Sequence, residues 1–494
     1  MKILVAVKPV PDPDGRIGVT PEGRLDTSLA RPVVNPYDEI ALDHAYRLCE
    51  SGAATEVVAV TVVRTGEEAV GEEILRAALA RAADRAVLVV DDIHELRPEG
   101  VGVRLADIVR QEAPDLVLFG RQGADSEDGQ TGPRVAGVLG WPFITAASEI
   151  ALTDGEVRVI RETDAGRETL EAALPAVVTC DLRGRDPRPI PLFDIVRAND
   201  KPLDSITVAP LPATAVTTRV FEYRPVCRQR VCRRAARIED LIEAIDVLSG
   251  TGEIAGQPLT GIPDRVEGIG ACHYVGADED RDTLAWIAGR WGRALVTGVT
   301  DVWDEVRYTR AVHAGRFLQI VGAVPSQDCL LTVRGRGRTE AQKANTDDLL
   351  RSVAIPTFKR IAFEPYSSGR PDLGTARIVV AGGRALRDAV TFERVVGGLA
   401  DALGGAVAAS GGAVHTGIAL MPLLVGVTGR TIAPDLYIAL GISGADQHTA
   451  GFTNAKRVVA INSDPEAAIF KSADIGLVAD VVPAVEAWMA RLEG

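Results

Sequence analysis

The chain has 494 residues, 46% of them hydrophobic and 25% charged, with a formal net charge of −14. That length gives room for two to four domains and a sizeable core. The acidic balance speaks against general nucleic-acid binding, and no apolar run is long enough to span a membrane.

Met1–Val7 is too short for the apolar region of a signal peptide and lacks a cleavage site, so it reads as the first strand of a cytoplasmic protein. Candidate strands Ile3–Val7, Glu56–Val63, Ala86–Val90 and Leu116–Gly120 alternate with helical patterns over Tyr37–Glu50, Glu67–Ala82 and Val101–Glu112. Such a series predicts a parallel sheet with helices on both faces. After Pro142 the pattern changes. Ala147–Leu152, Val157–Glu162, Glu168–Ala173 and Ala176–Asp181 are closely spaced, with a Thr153-Asp154-Gly155 turn, and read as antiparallel strands extending the sheet. Pro202–Pro225 shows no period and reads as a linker.

Arg228, Arg230, Arg233, Arg234 and Arg237 form a basic cluster before a helix expected over Ile238–Leu248. The cluster suits a solvated helix start, a charge match to an acidic neighbour, or a docking patch. Arg316–Val321 and Cys329–Arg334 look like strands. From Ala376 a second βα series begins, with strands at Ala376–Ala381, Ala406–Ala409, Leu436–Leu440, Arg457–Ile461 and Gly476–Val478. Helices fit at Ala389–Leu403 and Glu466–Phe470. The cysteines, Cys49, Cys180, Cys227, Cys232, Cys272 and Cys329, are scattered, which does not suit a disulfide framework. Cys227, Cys232, Cys272 and His273 match no common zinc or iron–sulfur spacing, so no metal site is expected.

The chemistry concentrates in the second series. Gly382-Gly383-Arg384, Ser410, Val425-Gly426-Val427-Thr428-Gly429, Gly441–His448, Asn462 and Asp480 each follow or end a strand-like run. Ligands of open α/β sheets sit beyond the carboxyl ends of the strands. Small residues there let backbone amides approach a polyanion, and Arg384 suits a pyrophosphate. Asn462 and Asp480 suit adenine or ribose hydroxyls. Together they predict a dinucleotide pocket. No GxGxxG, nucleophile elbow, HExxH or GxxxxGK[ST] is present, which disfavours a hydrolase or P-loop ATPase.

Val379–Arg384, Val425–Gly429, Pro434–His448, Ala460–Phe470 and Ala473–Asp480 together resemble the flavin domain of the electron transfer flavoprotein alpha subunit. Leu436–Gly444 and Asn462–Ala467 are especially close to its signature. The N-terminal part resembles that family's beta subunit through Val7–Asp12, Asn35–Asp38, Ala83-Asp84-Arg85, Gln130-Thr131-Gly132, Gly140-Trp141-Pro142 and Leu174–Thr179. Arg310–Arg316 is similar to late strands of the alpha subunit's first domain. The resemblance implies a natural fusion with an α/β fold. Its parts would be an N-terminal parallel-sheet, adenine-nucleotide-binding (Rossmann-like) domain over 1–203, a linker and shortened central domain over 204–370, and a C-terminal doubly wound FAD-binding domain over 371–494.

Carried over by motif, Arg384, Ser410, Val425, Gly426, Val427, Thr428, Ser443, Gly444, Ala445, Asp446, Gln447, His448, Asn462 and Asp480 would contact FAD. Thr428 would lie near the redox ring. His448 would lie near a pyrimidine oxygen, where a hydrogen bond or positive charge raises the potential. Ala6, Asn35, Pro36, Tyr37, Asp38, Gly120, Arg121, Gln122, Gly123, Ala124, Asp125, Gln130 and Thr131 would form a structural AMP site. Thr131 would begin a helix whose amides take the phosphate, although Asp125, Glu127 and Asp128 place acid in that loop. Some family members bind a second FAD there and bifurcate electrons. Gln130-Thr131-Gly132-Pro133 is closer to the AMP type, whereas Lys8–Asp12 leans the other way. Arg183–Lys201 would include a loop that docks on partner dehydrogenases, with Leu192 as its apolar anchor and Arg197 and Lys201 flanking it.

Two positions depart from the family pattern. Gly411 stands where an arginine is usual and Val427 where a glutamine is usual. Losing a cation there predicts a lowered flavin potential, or a less stable anionic semiquinone, unless Arg430 or a linker arginine replaces it. The implied function is electron carriage rather than substrate conversion. Electrons would come from flavin dehydrogenases such as those of fatty acid oxidation and go to a quinone oxidoreductase or other acceptor. The fused chain would be a monomeric pseudo-heterodimer or a homodimer. The alternatives are a two-FAD bifurcating carrier and a nucleotide-binding module that has lost electron transfer.

Overall fold

Successive residues of Lys2–Ala6 point to opposite faces of a sheet. Ile3 and Val5 enter one core and Leu4 and Ala6 the other, and all four are buried. A strand covered on both faces reads as one apolar run, which explains the pattern of the first 120 residues. The computed structural model describes all residues except 14, 93–94, 164–165, 183–186, 213–214, 216, 227–229, 231, 251–273, 278–279, 303–306, 314, 324–328, 334–348, 350–352, 356–357, 366–368, 375, 427–428, 431, 454 and 494. Contacts divide the chain into two units. The first is 1–225 with 262–313 and 317–364, and the second is 226–261 with 314–316 and 365–494.

The first unit holds a ten-stranded sheet. Leu203–Thr207, Arg85–Asp91, Glu56–Arg64, Lys2–Ala6, Leu116–Gly120, Ala176–Cys180 and the start of Phe143–Thr153 run parallel in that spatial order. Glu156–Glu162 and Gly166–Ala173 continue it antiparallel, and Lys359–Pro365 lies at the edge. Ala176–Cys180 is therefore parallel to both neighbours, not antiparallel as expected. It inserts between Leu116–Gly120 and Phe143–Thr153, a placement that its short spacing from the preceding hairpin conceals.

The linker expected over Pro202–Pro225 is overturned as well. Leu203–Thr207 pairs with Arg85–Asp91, and Thr218–Pro225 pairs with Phe317–Ala323. Both strands are largely exposed, so neither shows the alternation that marks a strand with one buried face. The second sheet of this unit has six strands, in the order Thr218–Pro225, Phe317–Ala323, Arg307–Val312, Ala294–Val302, Cys329–Val333 and Tyr274–Ala277. Helices Thr131–Leu139 and Arg281–Trp291 cross backbone to backbone. A Cβ on Gly137 would lie 2.0 Å from the Trp286 carbonyl oxygen, and one on Gly289 would lie 2.2 Å from that of Arg134.

In the second unit Arg233–Ala235, Ile475–Val478, Arg457–Asn462, Leu436–Leu440, Ile378–Gly382 and Ala406–Ala409 form one parallel sheet in that order. Both faces are buried: Val380, Ile438 and Val459 lie in one core, and Val379, Tyr437 and Val458 in the other. The expected helix Ala389–Leu403 is helical from Ala389 to Ala402 but carries a π turn at Glu393–Gly397. Glu466–Phe470 is not an α-helix; only a 3₁₀ turn forms, at Ala468–Lys471. The basic cluster serves this unit. Arg230 pairs with Asp474, Arg234 stacks on Phe470 at 3.6 Å and Arg237 pairs with Asp240, whereas Arg228 lies outside the described residues. Among the described residues no helix is long and apolar enough to cross a membrane.

Candidate functional site

The strand direction in the second unit brings five loops to one edge. Chain order reverses across Ile378–Gly382, whose neighbours are Ala406–Ala409 and Leu436–Leu440. Such a reversal opens a crevice beyond the strand ends. Backbone bonds join the loops around it: Gly383 N–H to the Leu440 carbonyl at 2.8 Å, Ser410 N–H to that of Gly382 at 3.0 Å and Gly441 N–H to that of Ile461 at 2.9 Å. The glycines serve this joining. A Cβ on Gly383 would meet the Gly441 carbonyl oxygen at 2.0 Å, and one on Gly426, at φ +147°, would meet that of Gln447 at 2.6 Å. Their missing side chains let neighbouring turns close on one another.

On this rim Arg384, Ser443, Ala445, Asp446, Gln447 and Asp480 are exposed, while Ser410, Val425, Gly426, Gly444, His448 and Asn462 are buried. Val427 and Thr428 lie outside the described residues. Ser410 caps the short helix Gly411–His415, accepting the Ala413 N–H at 3.4 Å. Asn462 donates to the Ile442 carbonyl at 2.8 Å and accepts the Asp464 N–H at 2.9 Å, stapling two of the loops. Asp480 accepts the Val482 N–H at 3.1 Å.

The surroundings of His448 disfavour a positive charge on it. Burial pushes its imidazole down to about 4, against a smaller opposing pull from the Val425 carbonyl. Gly411 has room around it: a Cβ there would meet only ordinary contacts, the nearest being His415 at 3.6 Å. Arg430 pairs with Asp372 at 3.1 Å.

The first unit gathers the other set at the ends of Lys2–Ala6 and Leu116–Gly120. Asn35 donates to the Gln122 carbonyl at 2.9 Å and accepts the Ala124 N–H at 3.0 Å. Asp38 accepts the N–H groups of Lys8 at 2.8 Å and Gly120 at 2.9 Å. Burial pushes the Asp38 carboxyl up to about 7 in spite of those donors. Gln122 donates to the Tyr37 hydroxyl at 3.4 Å, and Arg121 pairs with Asp181 at 2.7 Å. Gln130 donates to the Leu295 carbonyl at 3.3 Å, and Thr131 does begin a helix.

Pro36 opens the helix Pro36–Glu50, Ala6 closes its strand, and Gly123 sits against Asp125, with a Cβ there 2.4 Å from its carboxylate. The acid in the loop is largely answered: Lys8 holds Asp125 at 2.7 Å and buried Arg310 pairs with Asp128. Those counter-charges come from distant sequence, which local reading cannot see.

Leu192 lies in a helix rather than a loop. Leu192–Ala198 forms one turn and more behind the extended Pro191, and residues 183–186 are outside the described set. Leu192 is 76% exposed and Phe193 67%, with Ile195 and Val196 also exposed. The last three were missed because a short apolar run ordinarily signals core. The Arg197 guanidinium sits 5.4 Å from the Phe193 ring centre. Lys201 is not a free flanking cation, since its ammonium donates to the Leu79 and Ala83 carbonyls at 2.8 and 2.6 Å. Cys227, Cys272 and His273 lie outside the described residues. Among the described residues no group of His, Cys, Asp or Glu is arranged to hold a metal ion.

Comparison with known proteins gives two family matches. Residues 26–211 match the electron transfer flavoprotein domain, and residues 372–453 match the electron transfer flavoprotein FAD-binding domain. The chain is 43% identical to the mitochondrial electron transfer flavoprotein subunit beta of Oryza sativa subsp. japonica over 211 residues, 42% of this chain and 82% of that one. It is 34% identical to the subunit beta of Bradyrhizobium diazoefficiens over 249 residues, 50% of this chain and 97% of that one. It is 36% identical to a probable mitochondrial subunit alpha of Cryptococcus neoformans var. grubii over 305 residues, 58% of this chain and 86% of that one.

Proposed function

Because the chain belongs to the electron transfer flavoprotein family, with a beta-like beginning and an alpha-like FAD-binding end, we propose that it carries electrons on one FAD held at the strand-end rim of the second unit. The observation that carries this reading is the convergence of five loops at the reversal of strand order, with Arg384 and Asp480 exposed on them. The donor set fits the cofactor: a guanidinium for the pyrophosphate, a carboxylate for ribose hydroxyls, and small turns where the flavin passes. When bound, FAD supplies the redox chemistry. The chain's own residues bind it, orient it and set the charge around it, and none is needed as acid, base or nucleophile.

We read the second unit as a doubly wound α/β domain and the first 203 residues as a Rossmann-like one, with 204–370 as the shortened middle and 371–494 as the FAD domain. The pocket edged by Gly120–Asp125, Gln130 and Thr131 takes AMP as a structural ligand. The pairing of Asp125 with Lys8 and of Asp128 with Arg310 favours an anion there. Flavin dehydrogenases, including acyl-CoA dehydrogenases, deliver electrons at the exposed helix Leu192–Ala198, and a quinone oxidoreductase or other acceptor removes them.

Purification tests the reading. A flavin spectrum with one FAD per chain and AMP released on denaturation supports it. Two FADs per chain would favour a bifurcating carrier. A colourless chain that cannot be loaded with FAD would leave only a nucleotide-binding module.

A further inference from the structure

Arg281 opens the helix Arg281–Trp291, which crosses Thr131–Leu139 backbone to backbone. The two helices run the same way: Gly129 lies by Arg281, Arg134 by Gly289 and Gly140 by Arg290, so their first turns share one end. That end is the loop of the nucleotide pocket in the first unit. Gly129, at φ +60°, directly precedes Gln130 and Thr131. A Cβ on it would lie 2.8 Å from the Arg281 guanidinium carbon and 3.0 Å from Nη1. The guanidinium therefore rests on the backbone that turns into the helix Thr131–Leu139. Its side chain is 11% exposed, and among the described residues its hydrogen-bond partner is Asp282, reached through Nε at 3.2 Å. The four N–H donors on the two terminal nitrogens are left for another acceptor. Arg281 also acts on Tyr37, on the far side of the loop. Burial, Asp181 and Glu127 push the Tyr37 hydroxyl up, and Arg121 and Arg281 pull against them.

We propose that Arg281 binds the phosphate of the mononucleotide in this pocket, so that the middle of the chain completes a site whose other walls come from residues 6–131. The inference deepens the AMP reading of the pocket and rests on it. The neighbouring charges leave Arg281 to this task, because Asp125, Asp128 and Asp181 each have another cation: Lys8, Arg310 and Arg121. Asp282 holds the guanidinium by Nε, which fixes its plane and leaves the paired terminal nitrogens to meet two phosphate oxygens at once. A nucleoside without phosphate gains nothing from such a group. Arg281 therefore sets a preference for AMP over adenosine, and it does so from a segment far along the chain from the loop it serves.

The test is titration calorimetry of the full-length chain with AMP and with adenosine, after exhaustive dialysis over charcoal to remove bound nucleotide. The wild-type chain is expected to prefer AMP. Arg281→Met keeps the length of the side chain and removes the guanidinium. It should weaken AMP binding by about tenfold or more, the loss of a charge-assisted hydrogen-bond pair, and leave adenosine affinity within about twofold. Arg281→Gln keeps a donor for Asp282 and applies the same comparison should the methionine variant be unstable. Variants that bind AMP as the wild type does, or that lose AMP and adenosine alike, would overturn the proposal, as would a wild-type chain with equal affinity for both ligands. A wild-type chain that binds neither would instead defeat the AMP reading of the pocket, and the proposal with it.

Discussion

Gly137→Ala sets two rules of helix energetics against each other. Intrinsic propensity favours alanine over glycine inside a helix by about 1 kcal/mol. The crossing of Thr131–Leu139 with Arg281–Trp291 says otherwise. The new methyl would sit 2.0 Å from the Trp286 carbonyl oxygen, 2.9 Å from its carbon and 3.0 Å from the Arg290 nitrogen, all backbone atoms that no rotamer change can move. Ordinary carbon–oxygen contact needs about 3.5 Å, so the helices must part by roughly 1.5 Å, and a gap of half that size already forfeits a quarter or more of the contact energy. Leu284, Ala285, Trp286, Ile287 and Ala288 are buried and share that loss.

Overpacking of this kind costs about 1–3 kcal/mol, more where backbone cannot yield, so a net destabilisation of about 2–4 kcal/mol is expected once propensity is offset. Gly289→Ala strains the same crossing, so the double variant should lose less than the sum of the two. Hydrogen exchange of peptides spanning 131–139 and 281–291, with thermal unfolding alongside, measures both. If Gly137→Ala instead gains about 1 kcal/mol, the close crossing is not what joins these helices.

Three further outcomes follow from the rim and the exposed helix. Gly411→Arg should fold normally, because a Cβ there meets only ordinary contacts, and should shift the flavin midpoint potential upward in a redox titration; an unchanged potential would place position 411 away from the ring. Phe193→Ser with Leu192→Ser should slow reduction by a partner dehydrogenase at least tenfold while leaving the bound-flavin spectrum intact, measured by stopped-flow absorbance. His448 has a folded pKa of about 4, below its ordinary 6.5, so its contribution is full above pH 6.5 and is lost as pH falls towards 4. Local exchange protection of the second unit should weaken by up to about 3 kcal/mol over that window, and His448→Gln should flatten the slope.

The two parallel series were legible because both faces of their strands are covered, so Lys2–Ala6 and Leu436–Leu440 print as continuous apolar runs. The loops at the strand ends could be picked out for the same reason, since they follow those runs directly. What escaped was set by distant partners. Thr218–Pro225 is a strand only because Phe317–Ala323 lies beside it, and its exposed residues carry no period. Ala176–Cys180 shows its composition but not its direction. The glycines of the rim were located, but that they also admit neighbouring turns depends on loops about 60 residues apart, such as Gly383 and Gly441. Lys8 and Arg310 neutralise the acidic loop from far along the chain, beyond any local window.

The Asp128–Arg310 pair has a consequence for how the protein is made, because its members are 182 positions apart. The loop that carries Asp128 also holds Thr297 through its carbonyl oxygen, at 3.0 Å, and Gln130 reaches Leu295. On a ribosome adding about 5–20 residues per second, the loop is finished roughly 10–40 s before its last partner is synthesised. During that interval the early strands can pair among themselves, with Arg97 and Lys8 as the cations near Asp128, but Asp128 lacks its Arg310 partner and Gln130 the Leu295 carbonyl. The nascent first half therefore waits for the middle of its own chain, a timetable that a fused polypeptide enforces in a fixed order and two separate subunits do not.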